Sequence, residues 1–161
     1  MAPSPPAGAP AGAAPGGGND NLFELNTTTH AGFETIDVGA VYDGRSWIQR
    51  GNVARYNQVE HVRPTERLSQ TSFTQNAFYL DDHMSGWEIY DTVIVNATTG
   101  LPVGGGRRNK IRNNTFINCD HDIAFDNRGE THMPSTCNST PPLPPDSLVL
   151  NLEQLNCRHP P

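Results

Sequence analysis

The chain has 161 residues, a net charge of −6 and 35% hydrophobic residues. That is enough for one domain with a modest core. A net negative chain without a basic stripe excludes nucleic acid as the expected partner, and no run approaches the ~18 apolar residues that a membrane-spanning helix needs.

Residues 1–20 open the chain as a tail. Of the first 18 residues, 16 are Ala, Gly or Pro. Such a segment buries too little surface to offset its ordering entropy, so a disordered tail is expected. It lacks the charged and apolar regions of a signal peptide. Residues 21–48 read as short strands and turns leading into a repeated region. Residues 49–129 hold the repeats, and residues 21–129 together form the expected β domain. Residues 130–161 carry seven prolines and form a Pro-rich extension. Its one amphipathic piece, Leu148 to Leu155, is expected to be a short helical cover over the open end. No sustained helical period appears anywhere else.

The clearest repeat is Gly104 to Cys119, GGGRRNKIRNNTFINC. It reads as a glycine turn, an alternating strand, an Asn-Asn corner and a second strand. Side chains alternate along a strand, so Ile111 and Phe116 point inward while Lys110 and Arg112 point out. Stacked coils place Asn114 where it can bond the same corner of the next coil. With Asn57 over Asn114, Ala54 falls over Ile111, Val59 over Phe116 and Val62 over Cys119. With Thr92 at the same corner, Ile89 and Ile94 take those inward places. Thr92 and Asn114 are 22 residues apart, one solenoid turn. Asn57 and Thr92 are 35 apart, which requires an inserted loop, and polar Arg63 to Thr74 is the candidate. The fold expected is all-β: a short right-handed parallel β-helix with a disordered N-terminal tail and a Pro-rich C-terminal tail. Unrelated strands of a β-sandwich are the alternative.

Of three cysteines, Cys119 falls at an inward position and reads as a small hydrophobe. Cys137 and Cys157 can form one disulfide if the protein is secreted. Sequons begin at Asn26, Asn96, Asn113 and Asn138, and Asn113 also sits at a coil corner. Fold and sequons together lean toward a secreted or cell-surface protein.

Four segments follow one another in order: Asp37 to Asn57, Phe78 to Tyr90, Val103 to Cys119 and Ala124 to Gly129. In them the chain resembles the family of right-handed parallel β-helix repeat proteins, best known as large bacterial extracellular proteins. The resemblance spans about residues 32–129. The family shares its fold with pectate-lyase-like polysaccharide lyases and with glycoside hydrolases. The resemblance implies a polysaccharide or cell-wall glycan as partner, and a short or truncated member, since relatives carry more coils.

The densest chemical constellation is Asp81, Asp82 and His83 with Arg107, Arg108, Asp126 and Arg128. Coils stack about 4.8 Å apart, which brings carboxylates of nearby coils to the ~5–9 Å separations of glycoside hydrolysis. Asp82 and Asp126 are the pair for that chemistry. For a lyase, His83 or Asp82 is the base and Arg107 stabilises the enolate-like intermediate. The competing reading gives the same residues turn caps and cross-coil ion pairs. With few coils to form a groove, binding or structural use of the glycan is favoured over turnover. No cofactor is implied. Calcium would need converging oxygens, and Asp120, Asp122 and Asp126 are the only dense set. Gly104–Gly106 lacks the helix and Lys-Ser/Thr ending of a phosphate loop and reads as a tight turn. Trp47, Tyr56, Tyr79, Trp87 and Tyr90 either stack on sugars or pack between coils. His30, His61, His121, His132 and His159 show no metal-ligand spacing.

Overall fold

The computed structural model describes residues 18–33, 35–65 and 75–127. The expectations for the N-terminal tail, Arg128, Cys137, Cys157, Asn138 and the Leu148–Leu155 piece lie outside the described residues.

Twelve strands follow in order. They are β1 (Leu22–Glu24), β2 (Thr27–Thr29), β3 (Val38–Gly44), β4 (Asn52–Arg55), β5 (Gln58–Val62), β6 (Gln75–Asp81), β7 (Trp87–Tyr90), β8 (Val93–Ala97), β9 (Thr99–Gly104), β10 (Lys110–Arg112), β11 (Thr115–Ile117) and β12 (His121–Asp126). Every third strand pairs, always in parallel. The sheets are β1-β4-β7-β10, β2-β5-β8-β11 and β3-β6-β9-β12. Four coils of three strands therefore stack as a parallel β-helix-like solenoid.

The inward files match the sequence expectation. Ala54 pairs with Ile89 and Ile89 with Ile111. Val59 pairs with Ile94 and Ile94 with Phe116. Ile89 and Ile94 are fully buried, each contributing about 2 kcal/mol of hydrophobic stabilisation. Cys119 packs against the same core. Lys110 and Arg112 stay exposed on the outer face.

One expectation needs correcting. Residues 21–48 are not a lead-in but contain the first full coil. Phe23 pairs with Ala54 and Thr28 with Val59. Even Asn19 and Asp20, expected in the tail, bond the second coil. Arg50 N donates to Asn19 Oδ1 at 3.0 Å, and Asp20 N donates to the Arg50 carbonyl at 3.0 Å.

Polar ladders fix the corners. Asn26 N donates to Asn57 Oδ1 at 3.1 Å, Asn57 N to Thr92 Oγ1 at 3.4 Å, and Thr92 N to Asn114 Oδ1 at 3.1 Å. Those steps span 31, 35 and 22 residues. The extra length of the 35-residue step lies mainly between β5 and β6; of the inserted loop expected at Arg63–Thr74, residues 66–74 lie outside the described residues. In the next coil Thr98 alone separates β8 from β9.

The backbone repeats with the ladders. Leu25, Tyr56, Asp91 and Asn113 all hold φ between 49° and 57°. His30, His61, Asn96 and Asn118 hold 54° to 57°, as does Arg108 at the corner also held by Asp20, Gly51 and Gly86. Left-handed backbone costs an L-residue roughly 1–2 kcal/mol, so stacking and ladder bonds, not local preference, hold Leu25, Tyr56 and both histidines there.

Candidate functional site

The sequence-chosen residues sit at the ends of the third sheet. Asp82 and His83 follow β6, Arg107 lies between β9 and β10, and Asp126 ends β12. Asp82 Oδ2 accepts from Arg45 Nε at 3.1 Å, and its carbonyl accepts from Arg45 N at 3.0 Å. Arg45, unremarked in the sequence reading, thus clamps this turn to the first coil.

His83 and Arg107 converge on buried Trp47. The imidazole stacks on the indole with ring centroids 5.2 Å apart and an interplanar angle of 14°. The Arg107 guanidinium carbon lies 5.6 Å from the Trp47 ring, and Nη2 donates to the Trp47 carbonyl at 3.3 Å. Burial lowers the Arg107 pKa, and the neighbouring charge of Arg108 lowers it further.

The register brings a different carboxylate into line with Asp126. Asp126 pairs with Gly104, and Leu80 pairs with Val103, which sets Asp81 beside Gly104. Asp81 and Asp126 therefore share one file, two coils or about 10 Å apart. Asp82, one residue on, has left the strand. Asp81 is nearly buried and accepts from the Tyr42 hydroxyl at 2.9 Å. Burial first, then the bond to Asp81, pushes the Tyr42 pKa up to about 12. A Cβ at Gly44 would lie 2.9 Å from Tyr42 Oη and 3.2 Å from Asp81 Cβ, so glycine leaves room for this pair.

A cavity of about 150 Å³ opens at this sheet, lined by Asn76, Tyr79, Thr99, Pro102, Phe125 and Asp126 among others. Phe125 is 73% exposed. Of the aromatics singled out in the sequence, Trp47, Tyr79, Trp87 and Tyr90 are buried, and Tyr56 is half exposed. Phe125 was not singled out; its place in an alternating strand next to Asp126 was the available signal. A second cavity, about 260 Å³, is lined by Arg50, Arg108 and Lys110 with Glu88, and Glu88 is held by Arg112 at 3.0 Å.

Calcium is poorly served by the expected triad. Both Asp120 oxygens accept from Arg63, at 2.9 Å each, and this bonding holds its carboxyl below the usual range. Among the described residues, no group of three His, Cys, Asp or Glu side chains is placed to hold a metal ion. Arg63 also donates to Asn96 Oδ1 at 2.7 Å and to the Asn118 carbonyl at 2.9 Å. It joins three coils, where the sequence reading had only the start of a loop. Gly105 has a φ of 78°, in keeping with a tight turn at Gly104–Gly106.

Three sequon asparagines have committed amide nitrogens. Asn26 Nδ2 donates to the Glu24 carbonyl at 2.9 Å, Asn96 Nδ2 meets His61 Nδ1 at 2.9 Å, and Asn113 Nδ2 bonds Asp91. A glycan on any of them would displace a corner bond. Among the described residues, no helix is long and apolar enough to cross a membrane. No family model matches the chain, and neither a curated protein nor a solved structure does.

Proposed function

We propose that the chain is a right-handed parallel β-helix that binds a polysaccharide or wall glycan outside the cell. The right hand follows from the strong preference of parallel crossovers for it. The observation that carries the binding reading is the open cavity at sheet β3-β6-β9-β12. It sets an exposed aromatic ring, Phe125, beside the Asp126 carboxylate, with the buried Asn76 and Thr99 also in its lining. Sugar rings present C–H faces that pack on aromatics and hydroxyls that bond carboxylates and amides, so this mixture suits them.

The second reading is a lyase or glycosidase using Asp82, Asp126, His83 and Arg107. Asp126 at the cavity favours it, as does the gathering of His83 and Arg107 on Trp47. The tight Asp82–Arg45 contact favours binding without turnover.

A panel of immobilised plant, algal and bacterial glycans tests both readings, with release of reducing or unsaturated ends followed in parallel. Retention on one glycan class, weakened about tenfold or more by Phe125→Ala and without product release, is the expected result. No retention on any glycan, or retention indifferent to Phe125→Ala and Asp126→Asn, overturns the binding site. Product release abolished by Asp126→Asn at unchanged melting temperature replaces it with the enzymatic reading.

A further inference from the structure

The two ends of the solenoid are complementary to one another. The Asn26–Asn57–Thr92–Asn114 ladder runs with one polarity: a backbone N–H of one coil donates to a side-chain oxygen of the next. At the fourth coil the Asn114 N–H has no successor among the described residues. At the first coil Asn26 Oδ1 has no donor among the described residues, and the amide is engaged through Nδ2. The neighbouring file ends the same way, although its middle step is backbone to backbone, from Asn52 N to the Gly86 carbonyl. Asn21 N donates to Asn52 Oδ1 at 3.0 Å and Trp87 N to Asn109 Oδ1 at 3.0 Å. That leaves the Asn109 N–H at one end and Asn21 Oδ1 at the other.

Charge matches as well. The file Glu24, Arg55, Tyr90, Arg112 runs through all four coils. Arg55 bonds Glu24 at 2.7 Å, and its Nη1 donates to the Tyr90 hydroxyl at 3.1 Å. Arg112 lies 3.8 Å from the Tyr90 ring. The file begins in a carboxylate and ends in a guanidinium. The corner file that begins at Asp20 ends in Arg108. Apolar surface is left at the fourth coil: Ile123 is 39% exposed although its file, Leu101 and Phe78 with Val41, is core.

We propose that copies of this chain stack end to end, the first coil of one copy seated on the fourth coil of the next. In that contact Asn114 N–H meets Asn26 Oδ1 and Asn109 N–H meets Asn21 Oδ1. Arg112 faces Glu24, Ile111 is covered by the partly buried Phe23, and Ile123 falls under β3, whose Val41 is itself buried. The contact is heterologous, so it does not close on itself and adds copies in a line. It also pairs strand edges of β1 and β10–β12 that have no strand partner beyond them among the described residues, and such edges invite unspecific pairing. Phe125 pairs with buried Val103, so a stack would cover its ring at every contact; stacking and glycan retention compete for that ring and are read by separate assays.

Sedimentation velocity of the full chain over a wide concentration range tests it. A mass rising with concentration to twice the monomer's and beyond is expected, with more dissociation in high salt. Ile123→Lys should hold the protein at the monomer mass. If that variant does not fold, hydrogen exchange of wild-type β10–β12 amides decides. Slowing of Asn109, Asn114 and β11 exchange as concentration rises supports the stack. A monomer at every concentration overturns it. So does a dimer that goes no further, which marks a symmetric contact, and so does association unchanged by Ile123→Lys. Concentration-independent protection of the β12 edge overturns it too, because the chain's own C-terminal segment would then hold that face.

Discussion

Removing the Asn57 side chain should unfold a large part of what the corner ladder stabilises. Asn57 is 3% exposed. Its Oδ1 accepts from Asn26 N at 3.1 Å and from Asn26 Nδ2 at 3.2 Å, and its Nδ2 donates to the Phe23 carbonyl at 2.9 Å. Alanine would strand two backbone groups, the Asn26 N–H and the Phe23 carbonyl. Each stranded, partly buried group costs about 1–3 kcal/mol, giving a loss of about 2–6 kcal/mol. A domain of this size is stable by roughly 5–15 kcal/mol. The next coil supplies the control: Thr92 occupies the same corner, and its hydroxyl accepts from Asn57 N. Asn57→Thr keeps an acceptor and should cost about half as much. Urea unfolding followed by strand circular dichroism measures both. A loss under about 0.5 kcal/mol for Asn57→Ala, or equal losses for the two variants, would refute the ladder as a source of stability.

Two further outcomes follow from the corners and the core end. Gly86 has a φ of 78°, and a Cβ there would lie 2.1 Å from the Gln49 carbonyl oxygen. Arg108 holds a similar backbone one coil on, so the close approach rather than φ alone demands glycine. Gly86→Ala should cost at least about 2 kcal/mol in the same urea assay, and a neutral result would show that the corner can open. Asp43 accepts from Trp87 Nε1 and from Gly44 N, both at 3.0 Å, yet burial raises its pKa. The folded state therefore holds this proton more tightly than the unfolded chain. Stability from the group is full below the unfolded value near 4 and is lost as pH rises through the raised folded value. Asp43→Asn should gain on wild type as pH rises through that window; urea midpoints whose difference ignores pH would contradict it.

Much of the coil register was legible because Asn57, Thr92 and Asn114 recur beside inward Ala, Ile, Val and Phe. The first coil was not, although Asn26 and Phe23 hold the same places. There the inward Thr28 is polar, and Leu22 and Leu25 lie outside at 53% and 76% exposure, so the alternation is inverted. The carboxylate facing Asp126 was misplaced by one residue for a similar reason. A shift of one along a strand reverses the face, and nothing in Asp81-Asp82 marks where β6 ends. Counting 23 residues from Leu80 to Val103 would have chosen Asp81. Arg45 and Arg63 were missed because their partners lie 37 and 57 residues away, and an isolated arginine in a polar stretch carries no local sign of a cross-coil bond.

The stacking of coils is tested most directly by through-space NMR contacts of the Ile94 methyl groups. Parallel stacking predicts contacts to Val59 on one side and Phe116 on the other, with Ile89 likewise between Ala54 and Ile111. Partners then differ by constant steps of 35 and 22 residues. A β-sandwich would instead pair neighbouring strands in antiparallel fashion, with partner numbers of constant sum. That pattern at Ile89 and Ile94 would contradict the solenoid and everything built on its register.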